Sequence, residues 1–506
     1  MADSIAPAAG ATEGRTFHRG LYTLFFTEMW ERFSYYGMRA LLVLFMVEAI
    51  QSDGSGGLGM DEMTAGAIYG LYTAGVYLMA LPGGWIADRL LGAQESVWYG
   101  GIIIMLGHVV LAIPAEKTFY LGLLLVVLGT GLLKPNISAI VGQLYPEGGA
   151  RRDAAFSFFY MGINVGAFLG PLFCSYFGEQ INWHLGFGTA AVGMFAGLIQ
   201  YRLTRKHLGD AGLRPHHTDD SEVTGDKKEK GWYLVWGAVV IIAGLYLSGI
   251  TGIIDFNPVA IARWGTRVIM SMAMLYFVYM FTLAKLNTVE KKRIVVIIVL
   301  FIASALFWSG FEQAGSSLNL FADRYTDRML DALNFEIPAG WYQSINPIFI
   351  IALAPVFGWF WITLARRNLN PSIPLKFAFG LILLGAGFFV MVIASKLVLG
   401  GALAGSSWLI MTYLLHTMGE LCLSPVGLSS VTKLSPQRYV GQMMGIWFLA
   451  TALGNLIAGL VAGHFDDQVV DQMPDLFMQV VQYTVIPGAV LLLLARPIHK
   501  LTGGIK

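Results

Sequence analysis

Apolar residues arrive along this chain in blocks of roughly twenty, the length a helix needs to cross about 30 Å of hydrocarbon, and polar or turn-forming residues separate them. Fourteen such blocks can be bracketed. Six lie near 20–47, 64–87, 95–114, 118–145, 154–178 and 183–203. A polar stretch over 207–230, carrying His216, His217, Asp219, Asp220, Asp226, Lys227 and Lys228, cannot span. Blocks near 232–254 and 264–286 follow, then six more near 294–321, 342–365, 375–398, 406–432, 440–464 and 475–495. The pattern predicts an all-α polytopic membrane protein. Its expected parts are a disordered tail (1–18), a six-helix bundle (19–206), a cytoplasmic linker (207–230), two inserted helices (231–290) and a second six-helix bundle (291–500). Six, two and six helices suit a transporter built from two repeated halves with its site between them. No strong letter-by-letter repeat joins the halves, so this symmetry rests on span counting.

Composition excludes a soluble domain: of 506 residues 56% are hydrophobic and only 13% charged, with a mean hydropathy of +0.62. The 60 glycines fit membrane helices that approach closely. A net charge of +1 gives no footprint for nucleic acid. Cys174 and Cys422 sit in apolar blocks without disulfide or metal spacing and read as packing residues; no cofactor is expected. The Ala/Gly-rich stretch through Thr16 lacks the apolar core and cleavage site of a signal peptide.

Basic residues fix orientation. Arg89, Arg151, Arg152, Arg202, Arg205, Lys206, the stretch 285–293, Arg366, Arg367, Lys433, Arg438 and Lys500 share one side if the N-terminus is cytoplasmic. Asp53, Asp61, Glu62, Glu116, Glu179, Asp255, Asp466, Asp467 and Asp471 take the other. Arg263, Arg267, Arg324 and Arg328 are exceptions, the last two partly balanced by Asp323, Asp327 and Asp331. Both termini are expected in the cytoplasm. The loop run Gly83-Gly-Trp-Ile-Ala-Asp88-Arg89 resembles the Gly-x-x-x-Asp-Arg/Lys loop of the major facilitator superfamily.

Chemistry concentrates in the first block, where Glu28, Glu31, Arg32, Tyr35, Tyr36 and Arg39 fall within twelve residues. A charge at mid-membrane costs roughly 2.5–3.5 kcal/mol on insertion scales, so these groups must face protein or water. Positions 28, 32, 35, 36 and 39 form one helical stripe. Lys134, Glu312 and Glu420 are the other ionisable groups deep inside a block; Pro135 beside Lys134 can free backbone groups for a ligand, and Pro425 follows Glu420 by about one turn. Arg32, Arg39 and Lys134 thus oppose Glu28, Glu31, Glu312 and Glu420. Protonating one carboxylate of such a set releases a cation to a substrate anion or unlocks a gate, which is how a proton-driven symporter works. The bland alternative is a structural staple, above all for Glu31 with Arg32, since adjacent residues point apart. Tyr35, Tyr36, Tyr69, Tyr72 and Tyr77 read individually as packing or interface residues, His108 and His416 as packed or hydrogen-bonded, and most tryptophans as interface or packing residues, with Trp308, one turn from Glu312, the exception.

Glu28-x-x-Glu31-Arg32-Phe33-x-Tyr35-Tyr36-Gly37 resembles the first signature of the proton-dependent oligopeptide transporter family. Phe159-Tyr160-x-x-Ile163-Asn164-x-Gly166 is similar to its second, and the segments Trp308–Gln313, Gln343–Pro347 and Leu423–Ser429 match family segments in order. The two inserted helices resemble the fourteen-helix bacterial form. The resemblance implies a major facilitator fold in a bacterial inner membrane, functional as a monomer, that imports di- and tripeptides with protons. It implies that Arg39 and Lys134 face the peptide carboxylate and Glu420 its ammonium. Asn164 and Asn346 would bond backbone amides, Tyr36, Tyr72 and Trp308 would line side-chain pockets, and Ser424 would join the peptide site. Glu28, Glu31, Arg32, Lys134 and Glu312 would couple protons, with Glu312 pairing Arg39 or Lys134 in an outer gate. No histidine lies between 64 and 87, where animal members use one, so carboxylates would carry the proton.

Cations at one end and a carboxylate at the other suit zwitterionic peptides. Nitrate or another anion is an alternative cargo, but Glu420 has no role for a simple anion. No His-Glu-x-x-His or Gly-x-Ser-x-Gly supports an intramembrane enzyme. A signalling receptor would carry a large soluble domain, and proline-broken helices around a charged cluster suit alternating access better than a channel.

Overall fold

Blocks of Leu, Ile, Val, Phe and Gly without solvent-facing polar stripes leave helix as the one way to satisfy their backbone in lipid, and the computed structural model is all-helical apart from four two-residue strands among the residues it describes, 17–51, 56–213, 225–465 and 467–503. The helices are α1 (Arg19–Val47), α2 (Glu62–Leu78), α3 (Ala80–Ile86), α4 (Ala93–Leu111), α5 (Glu116–Gln143), α6 (Gly149–Gln180), α7 (Trp183–Thr204), α8 (Gly225–Ile250) and α9 (Pro258–Thr282). They continue as α10 (Thr288–Phe311), α11 (Ser317–Tyr325), α12 (Ile345–Arg366), α13 (Ile373–Leu399), α14 (Ser406–Leu434), α15 (Val440–Ala462), α16 (Met473–Leu493) and α17 (Ala495–Leu501). Strands Thr326–Asp327 and Ala404–Gly405 pair in parallel, and Met329–Leu330 pairs antiparallel with Phe335–Glu336, forming a small cap after α11.

Among the described residues eleven helical stretches are long and apolar enough to cross a membrane, against fourteen expected. The three blocks missing from that set are α1, loaded with Glu28, Glu31, Arg32 and Arg39, and α4 and α7, which carry polar residues such as Gln94, Glu95, Gln200 and Arg202. The stretch read as a linker is partly helical: a 3₁₀ turn spans Arg205–Leu208 and α8 begins at Gly225. Its His216, His217, Asp219 and Asp220 lie outside the described residues, as does the tail through Thr16. The Gly83–Arg89 run is no loop; α3 passes into a π-helical turn over Ala87–Leu91 that ends at Gly92, φ +86°.

Within the first half of the chain, α1 packs on α6 and α7, and α4 on α5; in the second, α13 packs on α14 and α16. The halves meet where α2 lies along α15. That contact depends on two glycines: a Cβ on Gly66 would stand 2.4 Å from the Gly459 carbonyl oxygen, and one on Gly459 would stand 2.3 Å from that of Gly66. Such backbone contact replaces the hydrophobic drive that lipid removes. By contrast α8 turns Leu234, Trp236, Val240 and Ile241 outward, as a lipid-facing helix does.

Candidate functional site

On α1 the stripe places Glu28 one turn before Arg32 and Arg39 two turns after it. All four charged groups of the helix core are buried, Glu28 2%, Glu31 0%, Arg32 3% and Arg39 6% exposed, which forces each to find a partner. Arg32 Nε donates to Glu28 Oε1 at 2.8 Å and stands 2.7 Å from Glu31 Oε2, the latter contact lacking hydrogen-bond geometry. Adjacent positions on the helix thus do meet, because the long arginine side chain folds back between the two carboxylates. The Arg32 guanidinium also covers the Tyr35 ring at 5.5 Å, and Arg39 covers that of Tyr36 at 5.2 Å.

Arg39 reaches into the other half. Its Nη1 donates to Glu312 Oε2 at 3.0 Å and its Nε to Gln343 Oε1 at 3.4 Å. Of the two partners expected for Glu312, the structure pairs Arg39. Glu312 follows directly on α10 in a 3₁₀ turn over 312–315, and Tyr69 of α2 donates to its backbone carbonyl at 3.2 Å.

Lys134 forms no ion pair within 4.0 Å among the described residues; its Nζ sits 4.0 Å above the ring of Tyr77. Pro135 removes the N–H that would bond the Gly131 carbonyl, but that oxygen lies against Gly83, where a Cβ would be 1.9 Å away. The freed group therefore serves packing of α3 on α5. Asn136 reinforces the same contact, Nδ2 to the Leu132 carbonyl at 2.6 Å and to that of Gly83 at 3.3 Å.

The second charged locus lies on α12 and α14. Asn346 Nδ2 donates to Glu420 Oε2 at 3.1 Å and to Thr417 Oγ1 at 2.9 Å. Asn164 donates to the Tyr160 carbonyl of its own helix at 2.9 Å. Trp308 packs against Phe307 and Phe311 with its indole N–H buried and unpartnered. Ser424 is half-buried one turn beyond Glu420.

Tyr72 stacks on Tyr35 with ring centroids 6.1 Å apart, and its hydroxyl is buried without a partner. Tyr77 is the α2 tyrosine at Lys134. Gln343, three positions before Asn346, is the other site neighbour that residue-by-residue reading did not single out. His108 and His416 are buried, His416 with its ring 4.8 Å from Phe388. Among the described residues no cluster of three or more His, Cys, Asp or Glu side chains could hold a metal ion.

The model of the POT family matches residues 94–479. A peptide transporter of Yersinia enterocolitica subsp. palearctica is 45% identical over 502 residues, 96% of either chain. A di-/tripeptide transporter of Lactococcus lactis subsp. cremoris is 37% identical over 496 residues, 96% of this chain and 97% of that one. Among solved structures, the peptide transporter POT in complex with sulfate superposes with a TM-score of 0.87 at 42% identity over 97% of both chains. A POT family transporter in complex with 5-aminolevulinic acid does so with a TM-score of 0.83 at 33% identity, over 95% of this chain and 97% of that one.

Proposed function

This chain belongs to the POT family, and from that premise we propose that it is a proton-coupled symporter importing di- and tripeptides by alternating access. The observation that carries the reading is a charge count. Arg32 is paired with Glu28 and Glu31 and Arg39 with Glu312, while Lys134 and Glu420 stand without an ion pair among the described residues; every one of the four carboxylates is buried, so three basic side chains are set against four acidic ones. A buried excess charge is expensive, and uptake of one proton cancels it. A zwitterionic peptide adds no net charge, so peptide and proton enter together at balance.

In this reading the peptide carboxylate takes Lys134 from its seat over Tyr77 and draws on Arg39. The ammonium takes Glu420 from Asn346, while Asn164 and Asn346 turn to the peptide backbone. Tyr36, Tyr72 and Trp308 border the side-chain space and Ser424 the ammonium end. Protonation of Glu312 releases Arg39, which frees the halves to part; Glu28, Glu31 and Arg32 relay the proton beside Lys134. We assign the fourteen-helix major facilitator arrangement, with α1, α4 and α7 as the remaining spans, residues 19–206 and 291–500 as the two bundles, and 231–290 as the insertion. Both termini are cytoplasmic in an inner membrane, and one copy suffices for transport. Hydrogen bonds joining the two halves among the described residues, from Phe168–Ser344 to Glu62–Arg324, lie toward the end away from the termini. In this orientation the outer end is shut.

The test is uptake of labelled dialanine into proteoliposomes under an inward proton gradient. Accumulation that collapses with a protonophore supports symport; folded protein without uptake, or uptake competed by nitrate but not by dipeptides, overturns the cargo assignment.

A further inference from the structure

One side of α6 binds the opposite half through groups that neither the peptide nor the proton-coupling cluster uses. The Phe168 carbonyl accepts from Ser344 Oγ at 2.8 Å, and the Leu172 carbonyl accepts from Trp341 Nε1 at 2.9 Å. Ser175 lies so close under Gly340 that a Cβ there would stand 1.9 Å from its Oγ. Glu179 accepts the backbone N–H of Ala339 at 2.5 Å and of Gly340 at 3.0 Å. Positions 168, 172, 175 and 179 are spaced by four, three and four residues, one continuous helix face.

The last of these contacts is a helix cap supplied from the other half of the molecule. A 3₁₀ turn over Ala339–Ser344 leads directly into α12, and its own N-cap, Pro338, provides no side-chain bond. The first N–H groups of such a helix have no acceptor within it, and its positive end favours an anion. Glu179 is that anion, with its side chain 8% exposed. The charged groups around it are Arg328, 3.8 Å away, and the two acids that share that arginine, Asp323 at 3.0 Å and Glu336 at 2.9 Å. Gln180 adds a bond to the Glu336 carbonyl at 3.2 Å.

We propose that Glu179 and the N–H groups of residues 339 and 340 form a second lock between the halves, separate from Arg39–Glu312, that holds the outer end shut while cargo leaves at the other. The lock is reversible because both sides become wet when they part: water takes the N–H groups as it takes the carboxylate. Glu179 is thus a positioning residue for the conformational step, in contact with neither peptide nor transferred proton. The proposal rests on the alternating-access reading but not on the identity of the cargo.

The test is the distance between spin labels at Ile181→Cys and Leu333→Cys, both exposed, on a Cys174→Ser, Cys422→Ser background in liposomes without substrate. Glu179→Gln offers one acceptor where the helix start needs two, and sets an amide donor against donors. Its expected effect is a shift to the longer distance, with the open fraction rising about tenfold or more, the value of a lost charge-assisted bond. Gly340→Ala, which keeps the carboxylate but cannot close over Ser175, should shift it in the same direction. Distances unchanged in both folded variants would overturn the lock. Label distances need no peptide, so a wrong cargo would leave this result intact, and uptake with unchanged distances would sink the lock alone.

Discussion

Arg39 and Glu312 lie 273 positions apart in sequence and 3.0 Å apart in space, buried between the two halves of the chain. Protonating Glu312 removes the charge that holds Arg39, and Glu312→Gln imposes that state permanently. The expected outcome is exchange of labelled dialanine across liposomes near the unmodified rate, with gradient-driven accumulation lowered by about tenfold or more. Accumulation at the unmodified level would take Glu312 out of the coupling path.

Arg32 is a buried and Lys134 a half-buried cation of the same cluster, and their removal should have unequal consequences for stability. Arg32 touches two carboxylates, Glu28 and Glu31, so Arg32→Met leaves both without a counter-charge. Breaking a buried pair in this way costs about 3–5 kcal/mol. Lys134 lies over the Tyr77 ring and forms no ion pair among the described residues, so Lys134→Met breaks none. Thermal unfolding in detergent at pH 7.5 should show a large loss for Arg32→Met and little for Lys134→Met, although both abolish driven uptake.

The α2 tyrosines separate by contact. The hydroxyl of Tyr72 bonds nothing, so Tyr72→Phe should leave dipeptide uptake kinetics unchanged. Tyr77 offers its ring to Lys134, so Tyr77→Phe should keep the cation–π contact, worth about 0.5–2 kcal/mol, and Tyr77→Leu should lose it and change KM severalfold. Equal effects of Phe and Leu at position 77 would show that the ring is not what matters.

What could be read in the sequence follows the range of each contact. The Glu28–Arg32 pair sits at i and i+4 on one helix, and helical periodicity alone brings it together. The choice of Arg39 over Lys134 as the partner of Glu312, and the placing of Tyr77 under Lys134, depend on how helices rotate against one another, which no single helix encodes. Glu179 was legible only as an acid at the end of a block. Its partners are backbone N–H groups 160 and 161 positions later, and backbone donors leave no letter in a sequence. The three helices that fall short of a plain apolar test do so for two reasons: α1 carries the buried charges of the site, whereas α4 and α7 carry polar residues at one end, Gln94 and Glu95 in the first and Gln200 and Arg202 in the second.

In the proposed cycle, the glycines between α2 and α15 set a limit on closure of the outer end. Gly66 and Gly459 meet backbone to backbone, and a Cβ on Gly459 would also stand 2.7 Å from the Cα of Gly70. Neither helix can yield there, because the atoms in the way are main chain. Gly459→Leu should therefore hold the outer end open: binding of dipeptide from outside persists, while exchange and net uptake fall to background. Gly244→Ala is the control, since nothing lies within 4 Å of its Cβ position on α8; it should transport normally and gain roughly 0.5–1 kcal/mol of helix stability. Normal exchange by Gly459→Leu would mean that α2 and α15 need not touch during the cycle, and that the outer end closes through the α6 face and the Arg39–Glu312 pair alone.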